Sequence, residues 1–410
     1  MTNNNEQPIQ TNQKKPRISI EKDENSQKDA PSVKAPLQSN EPPSKQDPPP
    51  TSATVMTQTD NPIPTPNNSS TPVTNTNNTT NGQNQTSRDY YFDSYSHHSI
   101  HEEMLKDTVR TQTYRNAILE NAILFRNKIV LDVGCGTGIL SLFAAQAGAK
   151  HVYGIDCSNI IHQAKEIVKR NGYEDNITLI QGKVEDVELP VDQVDIIISE
   201  WMGYFLLYES MLDTVLYARD KWLAPTHGKI FPDKAVLYIG AIEDATIKKE
   251  RIDFWSNVYG FDMSNIADIA MCEPVVDVIA GQQVVSDTKP ILQLDLLTCS
   301  KDDLSFHSSF QVTTLRDDFV HGLVVYFECA FTQIDKPIGF STSPFSAYTH
   351  WKQTIFYFKD PLTMNMGDLI NGTIACRPNP HNNRDLDIEV EIRVDTSDCQ
   401  VESSMLYHLR

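Results

Sequence analysis

The sequence contains no Cys-x-x-Cys pair; its seven cysteines, at 135, 157, 272, 299, 329, 376 and 399, are odd in number and scattered. That spacing excludes the usual zinc ligand sets and a disulfide framework, and argues for reduced thiols in an intracellular protein. An N-terminal apolar signal core is missing, as is any run of about 18 apolar residues, so neither secretion nor a membrane span is expected. Aromatic residues are missing from the first 88 positions, which hold 13 of the 23 prolines and long Asn, Thr, Ser and Gln tracts. Such a segment cannot bury enough apolar surface to offset its ordering entropy, so residues 1–88 are expected to be a disordered tail. Within it, Lys14-Lys15-Pro16-Arg17 reads either as a fragment of a nuclear-import signal or as a solvated charge cluster.

Positive charge is also scarce. Lys and Arg number 35 against 54 Asp and Glu, a formal net charge of −19. The tail contributes nothing to that excess, because its 8 basic and 8 acidic residues balance. The body of the chain is therefore acidic. It should repel nucleic acid, and its charge either attracts basic partners or serves solubility alone.

The body begins at Asp89-Tyr90-Tyr91-Phe92-Asp93-Ser94-Tyr95 and continues into an expected helix over about 101–125, carrying Asp107 and Arg110. These two residues, three apart on a helix, could simply pair with each other. Strand-like runs at 128–133, 151–155, 177–181 and 194–199 alternate with helical patterns at 139–147 and after Ser158, a plausible N-cap. This alternation predicts a parallel α/β sheet with ligands at the carboxyl ends of its strands. After Phe231-Pro232 the pattern changes to β-branched and aromatic runs separated by turn residues, which predicts a second, mostly antiparallel β domain over 232–410. Between the two, 244–277 looks partly helical and carries Phe254, Trp255, Tyr259 and Phe261. So aromatic a segment is more often core than interface, although an interaction arm is the alternative.

Three acids follow successive strands. The first strand runs into Gly134-Cys135-Gly136-Thr137-Gly138, where bare backbone can approach a ligand closely. The pattern departs from the dinucleotide Gly-x-Gly-x-x-Gly, and the phosphate-loop lysine is absent. Asp156, ending the second strand, can accept from both hydroxyls of a ribose, and Glu185 stands where an adenine amino group could be met. Glu200 follows the fourth strand. Any one of these could be an ordinary surface acid. Together they suit a nucleoside with a cationic tail better than a phosphate-rich one.

The stretch Ser199–Ser210 places Glu200 and Glu209 either side of Gly203 and a group of large apolar residues. A bend at Gly203 would bring both carboxylates to one place. Two anions in apolar surroundings repel, and one should hold a proton unless a cation arrives. The cation that fits two carboxylates best is a guanidinium, planar and permanently charged. The loop therefore reads as an arginine pocket.

Four motifs in order carry a resemblance. Val130–Gly138 resembles the first motif of S-adenosylmethionine-dependent methyltransferases. Ser199-Glu200-Trp201-Met202-Gly203-Tyr204 with Tyr208-Glu209-Ser210 resembles the double-Glu loop of protein arginine methyltransferases. Thr349-His350-Trp351 resembles their Thr-His-Trp loop, and Tyr91-Phe92-Asp93-Ser94-Tyr95 their N-terminal aromatic motif. The likeness covers about 89–410 and is greatest to the type I, asymmetric-dimethylating enzymes. It implies a Rossmann-like methyltransferase domain followed by a β-barrel domain, S-adenosylmethionine as cofactor, and no metal.

By the same resemblance, Gly134, Asp156, Glu185, Arg110 and His101 would hold the cofactor, with Arg110 on its carboxylate. Met104 and Tyr95 would line the pocket and favour the asymmetric product. Glu200 and Glu209 would clamp the substrate guanidinium, and His350 with Asp107 would support the site. The family usually has Glu where this chain has Asp156, which shortens the reach to the ribose. The resemblance further implies a homodimer or higher oligomer through an arm matching 244–277, and protein substrates with Arg/Gly-rich basic segments, histones included. It implies no direct nucleic-acid or membrane partner, and nuclear and cytoplasmic locations.

The chemistry fits these residues directly. Methyl transfer from a sulfonium to a guanidinium brings two cations together, and two carboxylates offset their repulsion. Arginine is too weak an acid to be deprotonated first, so its proton leaves as the bond forms, to a carboxylate or to His350. Two other readings use the same residues: a small-molecule methyltransferase, and a non-catalytic module that binds arginine motifs.

Overall fold

The computed structural model describes residues 94–397 and 399–410. The expectations for the tail 1–88 and for Tyr91 and Phe92 lie outside these residues.

The expected long helix is three shorter ones: α1 (His98–Lys106), α2 (Thr108–Leu119) and α3 (Ala122–Phe125). The break falls at Asp107, whose backbone is extended (φ −67, ψ 94) and whose side chain accepts from the Arg110 N–H. A short acid that satisfies a free helix-start N–H starts a new helix rather than continuing the old one. The helix is thereby broken at the residue that bonds His350.

Five parallel strands come next: β1 (Ile129–Val133), β2 (His151–Asp156), β3 (Ile177–Gln181), β4 (Ile196–Ser199) and β5 (Lys229–Phe231), in the order β3-β2-β1-β4-β5. The central strands β1 and β4 are near-continuous apolar runs with almost every residue buried, as a sheet covered on both faces requires. Strand order reverses beside β1, which opens a crevice at the carboxyl ends of β1 and β4. Gly134 and Glu200 immediately follow those two ends. Helices α4 (Ile139–Gln146), α5 (Ile161–Arg170) and α6 (Met211–Trp222) complete the layer. Ser158 is not an N-cap. Helix α5 starts at Ile161 without a side-chain cap, and the Ser158 hydroxyl bonds Asp156 instead.

From Lys234 onward the chain is antiparallel, in two sheets. One runs, edge to edge, through β7 (Val275–Asp277), β12 (Gln353–Met364), β10 (Asp318–Phe331), β6 (Lys234–Ile242) and β8 (Lys289–Asp295), with β11 (Ile338–Ser341) also paired to β10. The other runs through β15 (Gln400–Leu409), β14 (Leu386–Asp395), β13 (Leu369–Pro378) and β9 (Phe306–Thr313). Strands β12, β13 and β14 matter for the site, because the loops before β12 and between β13 and β14 reach the α/β layer. Buried side chains of both halves, Ile197 and Leu216 with Phe356 and Ile388, belong to one contiguous apolar core. Edge-to-face ring pairs cross the junction, Tyr114 on Phe331 at 5.0 Å and Phe205 on Phe356 at 5.7 Å.

In the segment 244–277 the aliphatic Ile252 is core, with Ile247, Met271 and Val275 packed against its cluster, whereas most of the aromatic rings are not. The segment forms α7 (Ala245–Arg251), a short 3₁₀ turn, α8 (Ser264–Met271) and the brief strand β7, and it exposes Phe254, Tyr259, Phe261 and Ile269. Tyr259 is 98% accessible.

Candidate active site

Ten of the eleven residues singled out in the sequence line one cavity: Tyr95, His101, Met104, Arg110, Gly134, Asp156, Glu185, Glu200, Glu209 and His350. The eleventh, Asp107, lies beneath His350 and lines a neighbouring cavity.

The side of the cavity beside β1 and β2 is built from turns. Gly134 and Gly136 have φ of 72° and 52°, and a Cβ on Gly134 would stand 2.2 Å from Met211 Cε. Only glycine leaves backbone bare there. Asp156 folds back on this turn: Oδ2 accepts from the Gly136 N–H at 2.8 Å, and Oδ1 from the N–H and hydroxyl of Ser158 at 2.8 and 2.7 Å. The short side chain is thus held between its own loop and the glycine turn, contacts the sequence did not suggest. Glu185 accepts from the Thr214 hydroxyl at 2.9 Å. His101 Nε2 bonds the Tyr95 carbonyl at 2.8 Å. Bare backbone and several carboxylates facing one cavity suit a nucleoside with a cationic tail and disfavour a phosphate-rich one.

The double-Glu loop is a tight bend. The Gly203 N–H bonds the Leu206 carbonyl at 3.1 Å, and a Cβ on Gly203 would lie 2.0 Å from the Tyr208 carbonyl oxygen. Phe205, Leu206, Glu209 and Ser210 all take left-handed backbone conformations. Non-glycine residues there cost about 1 kcal/mol or more each, so surrounding structure must impose them. Burial of Phe205 and Leu206 supplies part of that.

The two carboxylates have different partners. Glu200 Oε2 accepts from Arg110 Nε at 2.8 Å, with both side chains buried. Neither Asp107 nor a ligand carboxylate is needed to explain where the Arg110 guanidinium sits; it also donates to the Met104 carbonyl and the Thr111 hydroxyl, each at 3.2 Å. Glu209 Oε2 accepts from the Tyr95 hydroxyl at 2.7 Å. Burial pushes the Glu209 carboxyl above its ordinary range. Tyr95 and the charge of Arg384 pull it back, and the charge of Glu200 adds to the rise. The expected mutual repulsion is thus met by one arginine on Glu200 and, at Glu209, by the Tyr95 hydroxyl and the charge of Arg384.

His350 arrives from the loop before β12. Its Nδ1 is 2.8 Å from Asp107 Oδ2, which also accepts the His350 N–H at 2.9 Å. Burial opposes charge on Asp107, but the bonds from His350 and the Arg110 backbone outweigh it and hold the carboxyl below its ordinary value. A charged acceptor there places the ring proton on Nδ1 and leaves Nε2 as the basic atom. The neighbouring Trp351 donates its indole N–H to the Met202 carbonyl at 2.8 Å, tying this loop to the double-Glu loop.

Arg384 also lines the cavity, and the sequence reading passed over it. It stands in an Asn-Asn-Arg-Asp turn with no local feature to distinguish it from a solvated arginine.

Comparison with known proteins settles the class. Residues 233–397 match the family described as the arginine methyltransferase oligomerization subdomain, and residues 130–226 match a methyltransferase domain. The chain is 56% identical over 327 residues to protein arginine N-methyltransferase 1 of Chlamydomonas reinhardtii, spanning 80% of this chain and 94% of the relative. This chain belongs to the protein arginine N-methyltransferases. It is likewise 59% identical over 305 residues to protein arginine N-methyltransferase 1 of Schizosaccharomyces pombe, spanning 74% of this chain and 89% of the relative. Among solved structures it is similar to the Trypanosoma brucei PRMT1 enzyme–prozyme heterotetrameric complex with AdoHcy. The TM-score is 0.75 at 48% identity, covering 78% of this chain and all of the other. The methyltransferase therefore uses S-adenosylmethionine to methylate protein arginines. The small-molecule and non-catalytic readings of the double-Glu loop fall away.

Proposed function

We propose that this methyltransferase converts arginines of basic, Arg/Gly-rich protein segments, histones and RNA-binding proteins among them, to monomethyl- and then asymmetric dimethylarginine. The observation that carries it is the convergence of Glu200 and Glu209 on one cavity with the glycine turn and Asp156. S-adenosylmethionine supplies a methyl group on a sulfonium. The chain's residues do the rest. Gly134, Asp156 and Glu185, with Arg110 and His101, would hold the cofactor's nucleoside and amino-acid ends. Glu200 and Glu209 bind and orient the guanidinium so that one nitrogen faces the methyl group, and positioning of this kind is the main catalytic contribution. As that nitrogen gains a carbon it gives up a proton. Glu200 is committed to Arg110, whereas Glu209 is raised by burial and Nε2 of His350 is basic, so the proton goes to one of the latter two. Tyr95 and Met104 shape the space left for a second methyl on the same nitrogen.

An acidic body favours cationic, extended substrates by long-range attraction. We further propose that the oligomer is a homodimer, formed through the exposed aromatic segment 244–277.

The test is transfer from labelled S-adenosylmethionine to a Gly/Arg-rich peptide, followed by acid hydrolysis and separation of the methylarginines, with Glu200→Gln and Glu209→Gln run in parallel. Asymmetric dimethylarginine from wild type and neither variant supports the whole reading. Symmetric or only monomethyl product overturns the product assignment, and transfer surviving both substitutions overturns the clamp.

A further inference from the structure

Glu209 and Ser210 are consecutive left-handed, non-glycine residues, with φ of 74° and 54°. The contacts that impose this geometry come from the turn between β13 and β14, about 175 positions away in the chain. The Glu209 N–H donates to the Arg384 carbonyl at 2.8 Å, the Arg384 Nη1 donates back to the Glu209 carbonyl, and the Ser210 hydroxyl donates to the Asn383 carbonyl. The turn is itself braced by the Asn379 N–H on the Asp385 carbonyl at 2.9 Å and by the Arg384 N–H on Asn382 Oδ1 at 3.3 Å. A guanidinium that closes a backbone exchange with Glu209 also brings its charge to the edge of the same cavity.

We infer that Arg384 is a positioning residue for the reaction: it locks the Glu209 backbone in its left-handed form and brings a permanent positive charge toward the Glu209 carboxylate. The inference rests on the reading of Glu209 as a guanidinium clamp. The groups that share Glu209's surroundings are Tyr95 from the N-terminal segment, Tyr204 and Tyr208 from its own loop, Glu200 after β4, His350 before β12 and Arg384. Of these, Arg384 carries a permanent positive charge, and it opposes both burial and Glu200. The β region therefore acts on catalysis by setting the shape and the ionisation of one acid in the α/β region.

The test measures kcat and KM for a Gly/Arg-rich peptide against pH in the full-length protein. Arg384→Gln retains an N–H donor toward the Glu209 carbonyl but removes the charge. The acid limb of kcat/KM is expected to move to higher pH, with kcat/KM about tenfold lower at a pH on the wild-type limb, mostly through KM. Arg384→Lys restores the charge without the planar fork. It should return the limb to the wild-type position while lowering kcat/KM at every pH. A limb that stays in place in Arg384→Gln, with activity reduced evenly, leaves only a structural role and overturns the inference. Failure of both variants to fold does the same. Glu209→Gln separates the two claims. If it leaves kcat/KM unchanged, the clamp reading falls and takes this inference with it. If it abolishes transfer while Arg384→Gln leaves the limb unmoved, only this inference fails.

Discussion

Arg110 Nε lies 2.8 Å from Glu200 Oε2, and both side chains are more than nine-tenths buried. The residue that resemblance assigns to the cofactor's carboxylate is therefore also the counter-ion of an acid that we propose clamps the substrate. One guanidinium has donors enough for both. The pair joins α2 to the end of β4, so that helix and the double-Glu loop share an ion pair.

Removing one partner from this pair leaves the other buried and uncompensated. Arg110→Met is expected to destabilise the fold by about 3–5 kcal/mol, read from urea unfolding midpoints. The double variant with Glu200→Gln should recover much of that stability and none of the transfer. Additive losses in the double variant would show that the two residues are not coupled.

Glu209 carries the opposite sign of effect. Its carboxyl is raised above the ordinary 4.5, first by burial, so the folded protein holds that proton more tightly than the unfolded chain. Charge on Glu209 then costs stability once pH rises through the raised value and costs none below 4.5. Glu209→Gln should raise Tm at neutral pH, converge with wild type as pH falls below that point, and lose about 10²–10³-fold in kcat/KM. A lower Tm at neutral pH would contradict this.

Asp107 behaves in the reverse way. Its carboxyl is held below the ordinary 3.8 because hydrogen bonds from His350 and two backbone N–H groups outweigh burial. Its contribution is complete above 3.8 and is lost as pH falls through the depressed folded value. Asp107→Asn should cost about 1.5–3 kcal/mol at neutral pH, with the gap to wild type closing only in acid. A gap independent of pH down to the acid unfolding transition would mean that the charge contributes nothing.

The arm offers a test by mass. Tyr259 is 98% accessible and Phe261 69%, so charges at both should leave the isolated fold intact. Tyr259→Asp with Phe261→Asp is expected to halve the mass seen by light scattering, leave far-UV circular dichroism unchanged, and lower transfer activity. An unchanged mass would remove 244–277 from the interface.

Much of the site was legible because a parallel α/β sheet presents its ligand-facing residues at the carboxyl ends of its strands. Gly134, Asp156, Glu185 and Glu200 each stand at or just past a strand end, and strands of Val, Ile and Leu are visible as runs. Gly203 was legible as a bend for a steric reason now evident in the Tyr208 carbonyl beside it. The expected single helix over 101–125 failed at Asp107, where a side chain competed locally for the backbone. Whether the rings of 244–277 face a core or solvent was left open between core and interaction arm, because aromatic content does not say which way rings face; Phe254, Tyr259 and Phe261 are exposed.

The sequence by itself determined the order of strands and helices, the glycine turn, the acids at the strand ends and the bend of the double-Glu loop, since each depends on neighbours within a few residues. Tertiary structure alone decided the partners: Arg110 with Glu200, Trp351 with Met202 and Arg384 with Glu209, separated by 90, 149 and 175 positions. Such pairs leave no trace in local periodicity, because chain packing, and no nearby pattern, brings each donor to its acceptor.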